Sequence, residues 1–69
     1  MINNTPLAML KSDTAMAVKA QKAMNLAMVG ETDWDRYRRA SAMQSAAMDA
    51  PGFCFDEFKR ICRAYGIDY

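Results

Sequence analysis

Twelve alanines and seven methionines stand in a chain of 69 residues, against eleven Leu, Ile, Val and Phe together. That ratio constrains the fold more than any motif does. Alanine buries little area, and methionine fills gaps without dictating a shape. Such a chain builds thin helices that pack closely and adaptably against one another, a second copy or a partner. Strand signals are missing, because no stretch alternates and β-branched residues are few. The expected fold class is all-α, a small bundle of three to four short helices with an Ala/Met-rich core.

Length then limits how that core is supported. One domain over 1–69 is expected, and a chain of this size buries only about 60 % of its unfolded surface. Small scaffolds lean on disulfides, a metal or oligomerisation. With two cysteines and no histidine, oligomerisation or partner binding is the expected support. Large aliphatic residues and Phe fall below the roughly 20 % that accompanies disorder. Disorder also asks for a high net charge, and here it is +1 with 52 % apolar residues. The chain therefore reads as folded.

Local signals divide it. Residues 1–4 read as a loose end. Thr5-Pro6 reads as an N-cap with proline at the first helical position, starting a short helix over 6–11. Ser12-Asp13-Thr14 offers a fresh cap for a helix over 13–29, stopped by Gly30; alternatively the two run as one helix. Thr32 is expected to cap a helix over 33–49, with Asp33 and Asp35 in its first turn, where the helix dipole favours acids. Pro51-Gly52 ends it. A last helix over 55–65 is entered at Gly52 or Cys54 and stopped by Gly66, with Ile67 placed to touch Cys62 in a Schellman motif.

Each helix offers a distinct face. Over 13–29, Met16, Ala20, Ala23, Met24 and Ala27 fall on one stripe. It packs either inside the chain or as an antiparallel self-association seam between two copies. Over 55–65, Phe55, Phe58, Ile61, Cys62 and Tyr65 form an apolar face assigned to the core. Asp56, Glu57, Lys59, Arg60 and Arg63 oppose it, with Asp56 and Arg60 spaced for an ion pair. Over 33–49, the chain opens Asp33-Trp34-Asp35-Arg36-Tyr37-Arg38-Arg39. Trp34 and Tyr37 either anchor a core short of bulk or form an exposed patch with Arg36, Arg38 and Arg39. Trp, Tyr and Arg are the types enriched at interface hot spots.

Several chemistries are not expected. The absence of histidine removes the usual general base and the commonest metal ligand. The three glycines are isolated, so no phosphate loop exists. Cys54 and Cys62 lack CxxC spacing. The pairs Asp33/Asp35 and Asp56/Glu57 diverge around their helices. No catalytic residue, cofactor or metal site is expected, and the chain is not expected to be an enzyme. Charge is balanced along the sequence: +2 over 1–30, −1 over 31–52 and 0 over 53–69. That lacks the basic excess of a simple nucleic-acid or membrane-surface binder. No stretch reads as a membrane span or a secretory signal. Two cysteines eight apart suit a reducing cytoplasm.

The functional expectation is a small cytoplasmic module that binds a larger protein as inhibitor, adaptor or modulator. Its size alone suits a phage or mobile-element accessory protein. Trp34, Arg36, Tyr37, Arg38 and Arg39 are the expected partner-binding residues, and a homodimer through the Ala–Met stripe is the companion expectation. A small nucleic-acid-binding regulator using the same Arg/aromatic cluster is the second reading.

Overall fold

The computed structural model describes residues 12–69. The expected loose end at 1–4 and helix over 6–11 lie outside the described residues. So does the question of whether that helix runs on into the next.

Three helices follow in chain order: α1 (Asp13–Ala27), α2 (Trp34–Asp49) and α3 (Phe55–Tyr65). Among the described residues there is no strand. The fold is all-α, as the composition predicts. α1 is the central element. It pairs extensively with α2 and less so with α3. The short 28–33 connection makes α1 and α2 an antiparallel hairpin.

Each boundary has a local cause. Extended Ser12 caps α1, its hydroxyl accepting from the Ala15 N–H at 2.9 Å. α1 stops at Ala27, two residues before the expected end, and Gly30 takes the left-handed φ of 67° in the turn. The cap of α2 is Asp33, not Thr32: the Asp33 carboxylate accepts from the Arg36 N–H at 3.2 Å. An aspartate one position nearer the helix serves this role better than threonine. Ala50 is extended, with φ −73° and ψ 147°, as a residue before proline prefers. Gly66 closes α3 at φ 66°, and the Ile67 N–H donates to the Cys62 carbonyl at 2.8 Å.

The core holds alanine rather than methionine. Ala15, Ala17, Ala20 and Ala27 of α1 are buried, as are Ala40 and Ala47 of α2. Ala20 and Ala27 are seven apart, and so are Ala40 and Ala47. Small residues at this spacing let two helix backbones approach closely, which leaves no room for long side chains between them. Among the described methionines Met24 is half-buried, and Met16, Met28, Met43 and Met48 are exposed. Bulk comes instead from Val18, Phe58 and Cys62, with Phe53, Ile61 and Ile67 packed around them.

Phe58 is the aromatic hub. Its ring lies 5.9 Å from Phe53, 6.1 Å from Phe55 and 5.7 Å from Tyr69. Phe55, expected in the core, is exposed. It stacks on Phe58 from outside, and the Lys59 ammonium sits 4.9 Å over its ring. Lys59 also takes the Asp56 carboxylate at 3.8 Å, so the pair formed is i,i+3 rather than the expected one with Arg60.

Two polar devices tie the elements together. The Thr14 hydroxyl, buried at the start of α1, donates to the Gly52 carbonyl at 3.4 Å and accepts from the Cys54 N–H at 2.9 Å. Beside it the Asp13 carboxylate accepts from the Gly52 N–H at 3.0 Å. An added Cβ on Gly52 would lie 2.5 Å from that carboxylate, so any larger residue there must push the Asp13 side chain aside. The second device is a relay. Gln44 of α2 donates to Gln21 at 2.8 Å, Gln21 to Asn25 at 3.0 Å, and Asn25 to the Asp68 carbonyl at 2.7 Å. Among the described residues, every buried side-chain N or O has a partner.

Candidate interaction surface

The α1–α2 turn is built tightly by backbone bonds and presents its side chains outward. The Met28 and Val29 N–H groups donate to the Asn25 and Leu26 carbonyls, each at 3.2 Å. The Asp33 N–H reaches back to the Ala27 carbonyl at 2.8 Å and closes the turn. Leu26 is 59 % exposed, Met28 55 %, Val29 71 % and Trp34 58 %. Four large apolar groups thus crowd nine consecutive positions at one end of the hairpin.

Trp34 is therefore not a core anchor, one of the two readings its sequence position allows. The α1–α2 seam is filled by alanines and needs no indole. Its ring meets half-buried Tyr37 edge-on, with centroids 5.8 Å apart at 73°. Arg38 stands one turn from Trp34 on the same side of α2 and pairs with Asp35 at 3.6 Å. Arg36 pairs with Asp33 at 3.8 Å. Both pairs are exposed and contribute little to stability.

The five expected partner-binding residues do not form one patch. At 100° per residue the cluster splits across α2. Trp34, Tyr37 and Arg38 share one flank. Arg36 and Arg39 lie on the other, where they line a groove with Ala23, Ala40 and Met43.

The expected self-association stripe is largely consumed within the chain. Ala20 and Ala27 are buried, Ala23 and Met24 are half-buried, and only Met16 is exposed. Two of its three alanines are thus spent on packing within one copy. The heptad spacing belongs to the α1–α2 hairpin instead.

The remaining chemical groups are dispersed. Cys54 is exposed at the entry to α3, while Cys62 is buried, and both are free thiols. Burial pushes the Cys62 thiol above its ordinary pKa. Among the described residues no three His, Cys, Asp or Glu side chains come together as a metal site. No described helix is long and apolar enough to cross a membrane.

Sequence reasoning missed that Leu26, Met28 and Val29 stay exposed at the same end of the hairpin as Trp34. The signal was present: three large apolar residues run straight into Gly30, where a helix stops and its core face ends. Compared with known proteins, the chain matches no family model, no curated protein and no solved structure.

Proposed function

We propose that this chain is a non-enzymatic protein–protein interaction module, acting as an inhibitor, adaptor or modulator by occupying a surface on a larger partner. The observation that carries this reading is the apolar tip of the α1–α2 hairpin. Large exposed apolar side chains gathered at one end of a small protein are the kind of surface by which interaction sites are marked. Trp34 supplies the anchor, and Tyr37 braces it edge-on. Arg38 adds a polar rim, and exposed Leu26, Met28 and Val29 add adaptable apolar area at the same end of the hairpin. The mechanism is steric or conformational, with no bond made or broken. A cytoplasmic setting accords with the two free thiols.

The test is affinity capture from a lysate of the producing cells, divided into nuclease-treated and untreated halves. The proposal expects the same one or two proteins in both halves. A catch that disappears with nuclease would replace it with the nucleic-acid reading. That reading also demands binding that weakens steeply with salt, because phosphate contacts release counterions.

A further inference from the structure

The flank of α2 turned away from Trp34 carries a groove of about 310 Å³ between α1 and α2. Ala23, Ala40 and Met43 make its apolar floor, and Arg36 and Arg39 stand at its edge. The two arginines are three positions apart, so their guanidinium groups lie on one side of the helix. Among the described residues, no carboxylate lines the groove. Among the described residues, the acid engaged there is Asp33, held to Arg36 at 3.8 Å with both side chains well exposed, an exchangeable contact. Among the described residues Arg39 makes no ion pair.

Two arginines beside a small apolar floor complement an acidic, amphipathic peptide segment. We propose that this groove seats such a segment of a protein partner. An apolar side chain rests on Ala23, Ala40 and Met43 while flanking carboxylates engage Arg36 and Arg39. Guanidinium–carboxylate pairs are directional and can be bidentate, so they fix the segment's register. The groove lies apart from the Trp34 tip and gives the partner a second, charged point of attachment. This inference rests on the interaction-module reading and names the chemistry of what is bound.

The test is an NMR titration of the isotope-labelled full chain with three probes. The first is a synthetic twelve-residue peptide with Leu and Phe at helical spacing flanked by Glu. The second replaces every Glu of that peptide by Gln. The third is a mixed-sequence single-stranded DNA 12-mer. The acidic peptide should shift the amides of Ala23, Arg36, Arg39, Ala40 and Met43. Its binding should weaken at least tenfold for the Gln peptide, and as much for an Arg36→Gln/Arg39→Gln variant with unchanged helicity. Equal binding of the two peptides, no shift in the groove, or tighter binding of the DNA there would each overturn the proposal. Shifts at Val29 and Trp34 alone would also overturn it, yet leave the interaction-module reading standing. Loss of protein capture in the lysate experiment would remove that reading separately.

Discussion

Thr14 does more for this fold than its size suggests. Its hydroxyl is buried and satisfies both the Gly52 carbonyl and the Cys54 N–H. Valine would fill the same space and leave both backbone groups unpaired. Thr14→Val should therefore lower stability by about 1–3 kcal/mol, seen as a lower urea midpoint with an unchanged slope, while Thr14→Ser should retain most of it. Gly52 depends on Asp13 in the same corner. Gly52→Ala forces the Asp13 carboxylate away, so its cost should shrink in an Asp13→Ala background, which a double-mutant cycle measures. Cys62 reports burial through pH. Its thiol pKa is raised on folding, so the unfolded chain loses that proton first as pH rises. The stabilisation is fully present below the unfolded thiol's pKa of roughly 8.5 and fades as pH climbs through the higher folded value. The stability gap between wild type and Cys62→Ala should thus narrow as pH rises above about 8. A pH-independent gap would show that the thiol is not shielded as described.

At the scale of elements, the decisive contact is the alanine seam between α1 and α2. Overpacking it is costly. Ala40→Leu should destabilise by about 1–3 kcal/mol, whereas Ala42→Leu on the exposed side should stay within about 0.5 kcal/mol. Ala27→Arg separates two accounts of the stripe. Buried within the chain, Ala27 should not tolerate the charge, and helical circular dichroism should fall. A seam between copies would instead give a smaller particle with intact helicity. The helical class was legible because turn residues and caps punctuate the sequence clearly. Gly30, Pro51 and Gly66 mark their breaks from local chemistry alone. The role of the stripe was not legible, because small residues at heptad spacing suit an intramolecular and an intermolecular seam equally. Phe55 was misplaced for a related reason. Periodicity assigns a face, but α3 buries only the part of that face that α1 covers, and its first turn extends beyond it.

For the molecule as a whole, the central feature is a core finished, among the described residues, without the chain's one tryptophan. Closely spaced alanines seal α1 against α2, and Phe58 fills the space beneath α3. Trp34, Leu26, Met28 and Val29 are left at the hairpin tip. Whether Trp34 faced inward was undecidable from sequence, since an alanine-rich core reads as short of bulk until the helix separation is known. Its cluster with the arginines was legible as a composition but not as a site, because the helix turn divides it between two flanks. The most direct test compares protein capture by wild type and a Trp34→Ala/Arg38→Ala variant, with far-UV circular dichroism as the folding control. The account predicts that the variant keeps its helicity and loses the proteins that wild type retains. Retention of the same proteins by the variant, or collapse of its helicity, would contradict an exposed, partner-binding tip.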